Sequence, residues 1–301
     1  MRLALATVAA AALLAAPVMG FSAPDELNRV KKGIHAFLAK QQRRTVSSVG
    51  ASVCKLDGDS TRCPITSMPK GETSLVQPGG STRCIFQDSS PFQFQVVPGA
   101  TDKLLFYFQG GGACFNQASV DIDLCSDDAN PMGLEGILDR TNPKNVFADY
   151  TVAVVLYCSG DIFGGNVTRP FERNGAPVVQ TGIANTQATL DWVRQQQKAG
   201  ALDATLRQLT IAGDSAGAIG AQIWAANIFD TLPATHRAAL PDSYVGYFPT
   251  DVIPGLIKNF GLCSFLTHNS TLKQKCVGET LQITDVVQAQ IQRYPDVTWQ
   301  W

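Results

Sequence analysis

Long apolar runs alternate with amphipathic segments along the central part of the chain. Residues 103–108 (KLLFYF) and 151–157 (TVAVVLY) are continuous runs of aliphatic and aromatic side chains, which are typical of strands buried on both faces. Residues 92–97 alternate as a strand does, and residues 209–212 and 244–248 predict two further short strands. Helices are predicted over residues 182–200, with Ile183, Leu190 and Val193 on one side and Gln and Lys on the other, and over residues 215–229.

This alternation of strands and helices indicates an α/β fold whose mainly parallel sheet is covered by helices on both faces. The chain has 301 residues and no internal repeat, so one large domain is expected. Residues 101–301 would form its core. Residues 21–100 would add a helix at 25–44 and an irregular region that is rich in Ser, Thr, Gly, Pro and Cys.

The first 20 residues form an apolar segment after Arg2 and end in Val18-Met19-Gly20. This pattern predicts a secretory signal peptide, too short for a membrane-spanning helix. No later stretch is apolar for long enough to cross a bilayer, so we expect a secreted, extracellular protein with no membrane span.

Cysteine usage agrees with an oxidising destination, because an even number of eight cysteines follows the signal segment. Neighbours in the sequence are plausible pairs, although the sequence alone leaves other pairings open. The disulfide candidates are Cys54 with Cys63, Cys114 with Cys125, Cys263 with Cys276, and the remaining Cys84 and Cys158. Asn166 and Asn269 each begin a sequon for N-glycosylation.

The charge pattern excludes some classes of partner. The net charge is −1, and the one basic cluster, Arg43-Arg44, is interpreted as a solvated helix end, so no nucleic-acid surface is expected. The chain has only three histidines and no close Cys-x-x-Cys pair, so no metal site is expected either. No feature of the sequence indicates an oligomeric state.

Residues 213–217, Gly-Asp-Ser-Ala-Gly, match the nucleophile-elbow pattern G-x-S-x-G. The pattern needs glycines because the serine occupies a sharp turn between a strand and a helix, and here a predicted strand precedes Ser215 and a predicted helix follows it. The alternative is a glycine-rich turn whose serine only caps the helix.

A second glycine-rich loop follows the strand at residues 103–108. In FYFQGGGACFN, Gly111 and Gly112 could offer backbone N–H groups to a developing oxyanion, together with the N–H of Ala216 beside the nucleophile. The loop lacks the Lys-Ser/Thr of a P-loop and the spacing of a dinucleotide-binding motif. The two loops together predict hydrolysis of an acyl bond by Ser215.

The stretches FYFQGGGACFN, NPKNVFADYTVAVVLYCSGDIFGG, LDWVRQQQ and LTIAGDSAGAIGA resemble the pectin acetylesterase family, which includes the Notum-type carboxylesterases. The resemblance implies an α/β-hydrolase fold, a Ser-Asp-His triad in that chain order, and no metal or organic cofactor. Ser215 matches the nucleophile, and Gly111, Gly112 and Ala216 match the oxyanion-hole positions. Cys114 and Cys158 match cysteines that the family usually holds in disulfides, whereas Ala218 stands where the family often has a second glycine.

The residues that would activate Ser215 are harder to find, because a catalytic serine needs a histidine and an acid that orients it. His236 would lie roughly 30 Å away at the end of the helix that starts at the elbow. His268 lies in a loop between two cysteines, and surface or capping roles suffice for the available carboxylates Asp251, Asp285 and Asp296. We therefore expect that the triad Asp and His are not present in this chain.

The last residues, RYPDVTWQW, resemble a strand that enters the sheet. In the resembled family the acid follows such a strand and the histidine comes later. The expectation is therefore a sequence truncated just before its acid, which lacks the last strands, exposes a sheet edge and is inactive as written.

These observations predict a secreted serine carboxylic-ester hydrolase that deacetylates pectin or a related cell-wall polysaccharide. The alternatives are a lipase-like or protein-deacylating carboxylesterase and a catalytically inactive secreted binding module. Gln109 stands where lipase-like enzymes carry a histidine, which argues against the lipase-like alternative.

Overall fold

The computed structural model describes residues 53–59, 61–243, 253–266 and 269–300. The signal segment, the helix predicted at 25–44 and the strand predicted at 244–248 lie outside these residues. The strands are β1 (Val53–Lys55), β2 (Ser74–Gln77), β3 (Phe94–Val97), β4 (Ala100–Phe108), β5 (Tyr150–Val155), β6 (Val167–Arg173), β7 (Ala176–Gln180), β8 (Leu206–Asp214), β9 (Ala234–Asp242) and β10 (Thr298–Trp299). The α-helices are α1 (Gln117–Asp121), α2 (Gly182–Lys198), α3 (Ala216–Thr231), α4 (Ile253–Asn259), α5 (Ser270–Val277) and α6 (Ile283–Arg293).

Eight of the strands form one sheet in the order β1-β2-β3-β5-β4-β8-β9-β10. Only β3 runs antiparallel to its neighbours β2 and β5, and the other pairs are parallel. β6 and β7 form a separate antiparallel hairpin. The predicted α/β class with a mainly parallel sheet is confirmed.

The core forms around the central strands and α3. Every residue of β5 is buried, which requires that both faces of the sheet are covered at this strand. Helix α3 is apolar on all sides, and Ile223 and Trp224 in its middle are completely buried. The apolar runs therefore form central strands because both faces of the sheet are covered there, as their composition predicted.

Strand β9 was not expected from the sequence. Its residues are mostly half-buried or exposed, so it lacks the apolar run that marked β4, β5 and β8. The interval before residue 84, expected to be irregular, also contributes two short strands of the same sheet. The polar side of α2 is only partly solvated, because Gln196 and Gln197 are buried. Gln196 accepts a hydrogen bond from the N–H of Ile65 (2.9 Å).

Parallel strands end at the same edge of a sheet, so the loops after β4, β5, β8 and β9 meet at one edge. In open α/β sheets, this carboxyl edge is where ligands bind. Ser215 and the predicted glycine-rich loop lie in two of these connections.

Candidate active site

Ser215 is the single residue between the end of β8 and the start of α3. Its backbone angles are φ 54° and ψ −118°, a conformation that costs about 1–3 kcal/mol for a residue with a side chain. Its N–H donates to the carbonyl of Asp242 at the end of β9 (3.1 Å). Within the described residues, its side chain makes no capping hydrogen bond to α3, so the helix-capping alternative does not describe this serine.

The two glycines that flank the elbow are required by the close approach of β4. A β-carbon at Gly217 would lie 2.1 Å from the carbonyl oxygen of Phe108. A β-carbon at Gly213 would lie 2.3 Å from the carbonyl oxygen of Gly217. Ala218, where the resembled family often has a second glycine, is completely buried, and its N–H donates to the carbonyl of Ser215 (3.0 Å).

The loop of residues 109–116, called the glycine loop below, starts beside the elbow because Phe108 pairs with Gly213 across β4 and β8. The Gly110 N–H donates to Oδ1 of Asp214 (3.0 Å). Gly112 has a φ of 73°, and a β-carbon there would lie 1.9 Å from the carbonyl oxygen of Leu124. The chain can follow this path only without a side chain at residue 112.

Three backbone N–H groups at this edge have no hydrogen-bond partner among the described residues. They belong to Gly111 and Gly112 in the glycine loop and to Ala216 in the first turn of α3. The first N–H groups of a helix have no partner inside the helix and can bind an anion. These are the three groups that the sequence predicted for an oxyanion hole, and the structure brings their two segments to the same edge.

Gln109 and Gln180 hold the glycine loop in place, and sequence reasoning did not find this role for either. Gln109 accepts a hydrogen bond from the N–H of Tyr157 (2.8 Å) and donates to the carbonyl of Asn130 (3.1 Å). Gln180 is completely buried, and its Nε2 donates to the carbonyls of Cys114 (2.7 Å) and Gly160 (3.1 Å). Gln109 through the Tyr157 N–H and Gln180 through the Gly160 carbonyl therefore connect the glycine loop to the segment that follows β5.

Two carboxyl groups lie close to this edge. Asp161 is completely buried and accepts hydrogen bonds from Ser159 Oγ (2.6 Å), the Phe163 N–H (3.1 Å) and the Gly182 N–H (2.7 Å). Burial raises the pKa of Asp161, and these donors oppose that effect. Burial also raises the pKa of Asp214, against the hydrogen bonds that it accepts. Asp161 links the segment after β5 to the start of α2, and it belongs to the Tyr-Cys-x-x-Asp stretch that the sequence singled out.

Of the histidines and acids weighed from the sequence, those in the described ranges do not meet at the elbow. The prediction that His236 lies at the end of α3 is wrong, because this residue lies in β9. It pairs with Gln208 near the start of β8, so it is about 20 Å from Ser215 at the opposite edge of the sheet. His35, His268 and Asp251 lie outside the described residues.

Asp285 and Asp296 have structural partners. Asp285 caps α6 by accepting from the N–H of Gln282 (2.9 Å) and pairs with Lys275 (2.7 Å). Asp296 pairs with Arg237 (2.6 Å). The part of the chain that the structure describes therefore places no histidine at the elbow.

Comparison with known proteins gives the family. The family model described as Pectinacetylesterase matches residues 73–255, which is more than half of the chain. This chain belongs to the pectinacetylesterase family. The resemblance inferred from its motifs is therefore confirmed.

One solved structure that matches is the Wnt deacylase Notum from Drosophila. It shares 19% sequence identity over 60% of this chain and 54% of that chain, with a TM-score of 0.45. The chain thus spans about half the length of this structure. No match was found among curated protein sequences.

Four disulfides form in this pectinacetylesterase-family chain, and two of them lie next to the site. Cys114–Cys125 closes the end of the glycine loop, and Cys84–Cys158 holds the segment after β5. The other two are Cys54–Cys63 and Cys263–Cys276. All three pairs proposed from sequence proximity are present, and the fourth joins cysteines 74 positions apart.

Of the two sequon asparagines, Asn166 is exposed, and Asn269 uses its side chain to cap α5 by accepting from the N–H groups of Thr271 and Leu272. None of the helices in the described ranges is long and apolar enough to cross a membrane. The described ranges also contain no cluster of His, Cys, Asp and Glu that could hold a metal ion.

Proposed function

We propose that this chain carries the nucleophile of a secreted serine carboxylic-ester hydrolase that removes acetyl groups from pectin or a related cell-wall polysaccharide. The observation that carries the proposal is the strained conformation of Ser215 beside a glycine loop in which two N–H groups have no partner among the described residues. Membership of the pectinacetylesterase family supports the ester and acetyl specificity. Four disulfides support secretion.

In the proposed reaction, Ser215 Oγ attacks the acetyl carbonyl carbon and its proton passes to a histidine. The carbonyl oxygen becomes an oxyanion that accepts hydrogen bonds from the N–H groups of Gly111, Gly112 and Ala216. The intermediate then collapses, the sugar hydroxyl leaves with the proton from the histidine, and Ser215 stays acetylated. Water attacks the acetyl-serine by the same route and releases acetate.

The described residues place no histidine at the elbow, because His236 lies at the opposite edge of the sheet. Without a histidine at the elbow, the chain is expected to bind the ester but to turn it over slowly.

The test compares the 301-residue chain with the product that includes any residues encoded after Trp301, each with a Ser215→Ala control. The substrates are 4-nitrophenyl acetate, 4-nitrophenyl octanoate and acetylated pectin, with acetate release as the readout for the last. We expect the longer product to release acetate from pectin and to lose at least about 1000-fold of its activity in Ser215→Ala.

Each of the other outcomes contradicts a specific part of the proposal. Preference for the octanoate ester would make the protein a lipase-like or protein-deacylating esterase. Activity of the 301-residue chain that depends on Ser215 would overturn the expectation of missing triad residues. A folded longer product that cleaves no ester would leave the inactive binding module as the explanation.

A further inference from the structure

Asp214 is the residue between the first elbow glycine and the nucleophile, and its carboxylate contacts β4 and the glycine loop that follows it. Its Oδ1 accepts two hydrogen bonds, from the hydroxyl of Tyr107 (3.0 Å) and from the N–H of Gly110 (3.0 Å). Tyr107 lies in β4, and Gly110 lies in the glycine loop that follows it. One carboxylate oxygen therefore joins the elbow to the loop that approaches it.

The fit between Asp214 and Gly110 is tight. A β-carbon at Gly110 would lie 2.6 Å from Oδ2 of Asp214 and 2.8 Å from its carbonyl oxygen. A side chain at residue 110 would therefore push the glycine loop away from the elbow. The absence of a side chain at Gly110 and the carboxylate of Asp214 together set the distance between the two segments.

The position of this contact along the loop matters for chemistry. Gly110 uses its N–H on Asp214, and the next two residues, Gly111 and Gly112, carry N–H groups without a partner among the described residues. Stabilising an oxyanion requires donors fixed about 2.7–3.1 Å from the oxygen, and a displacement of about 1 Å can cost about 100-fold in rate. A contact that fixes the position of residue 110 therefore also helps to fix the positions of the Gly111 and Gly112 N–H groups.

We propose that Asp214 is a positioning residue that holds the glycine loop against the nucleophile elbow, so that the N–H groups of Gly111 and Gly112 face the oxygen of an ester bound at Ser215. This inference rests on the proposed function for its effect on rate. The contact itself can be tested without any activity.

Two substitutions separate this role from general stabilisation. Asp214→Ala removes both hydrogen bonds, whereas Asp214→Asn keeps the Oδ1 acceptor that Tyr107 and Gly110 use. Asp139→Ala is a matched control, because Asp139 also accepts two hydrogen bonds, both from Thr141. This control lies away from the elbow, because its neighbour Arg140 donates to the carbonyl of Tyr150 at the start of β5, at the opposite edge of the sheet.

The first readout is hydrogen exchange of the Gly110 amide, followed by NMR in the folded 301-residue chain. We expect exchange to be about tenfold faster in Asp214→Ala, because the amide loses its acceptor, and to change less than about twofold in Asp214→Asn and Asp139→Ala. If Asp214→Ala does not fold, Tyr107→Phe serves instead: it removes the other hydrogen bond to Oδ1 and is expected to speed Gly110 exchange about twofold to threefold.

The second readout is ester hydrolysis by the form of the protein that shows Ser215-dependent activity in the test above. We expect Asp214→Ala to lower kcat for 4-nitrophenyl acetate about 10- to 100-fold with KM changed less than about twofold, because the donors act on the transition state. Asp214→Asn should restore most of this loss.

Three results would overturn the inference. Unchanged exchange at Gly110 in Asp214→Ala, or in Tyr107→Phe where that variant is used, would show that the carboxylate does not hold the loop. A rise in KM with unchanged kcat, or equal losses in Asp214→Ala and Asp139→Ala, would show a structural role only. If the unsubstituted enzyme cleaves no ester, the proposed function fails, and the exchange experiment still decides the positioning role.

Discussion

The Cys84–Cys158 disulfide joins the segment before β3 to the segment after β5, 74 positions apart in the chain. Cross-linking restricts the unfolded chain, and the entropy that it removes grows with the logarithm of the loop length. For 74 positions this relation gives about 4.5 kcal/mol at 25 °C. For the nine positions of Cys54–Cys63 it gives about 2.6 kcal/mol.

Replacing both cysteines of each pair by alanine tests this difference. We expect the free energy of unfolding to fall by at least about 1.9 kcal/mol more for Cys84→Ala/Cys158→Ala than for Cys54→Ala/Cys63→Ala. The difference is a minimum because Cys84 and Cys158 are both buried, whereas in the control pair Cys63 is buried and Cys54 only half-buried, so that fewer packing contacts are lost there. Cys54–Cys63 is the matched control, since it also closes a loop in the first half of the described chain.

The assay is guanidinium chloride unfolding of oxidised protein, followed by tryptophan fluorescence. The slope of free energy against denaturant should also rise more for the long-loop pair, because the unfolded chain becomes less compact when a long loop opens. Equal losses for the two pairs, or a larger loss for Cys54–Cys63, would refute the assignment of this stabilisation to loop length.

Three further predictions concern the loops around the elbow. In thermal unfolding, Gly112→Ala should lower the unfolding free energy by several kcal/mol, and the control Gly79→Ala by only about 1–2 kcal/mol. Both glycines have a φ near 74°, but only a β-carbon at Gly112 would meet a carbonyl oxygen within 4 Å. Gln180→Leu should cost about 2–4 kcal/mol in chemical unfolding, since it leaves two carbonyls without their donor. Burial raises the pKa of Asp161, so the folded state holds the carboxyl proton more tightly than the unfolded state does. The unfolding free energy of the wild type, measured relative to that of Asp161→Asn, should therefore fall as pH rises from 3.8 through the raised pKa.

The strands that carry the site were predictable because their burial is written into the local sequence. β4, β5 and β8 are apolar runs, and the structure differs from the prediction by only a few residues at their ends. β9 was missed, because its residues are partly exposed and its strand conformation depends on pairing with β8 and β10. That error also misplaced His236, which the prediction set at the end of a helix.

The sequence by itself located the sharp turn at Ser215 and the glycines that it needs, because a strand-to-helix turn and a close backbone approach restrict the residue types locally. Only the tertiary structure assigned Gln109, Gln180 and Asp214 to holding the glycine loop. Their partners include Asn130, Gly160 and Gly110, which lie 20 to 104 positions away in the chain. Contacts over such distances depend on the strand order and register of the whole sheet, and no local pattern of residues encodes them.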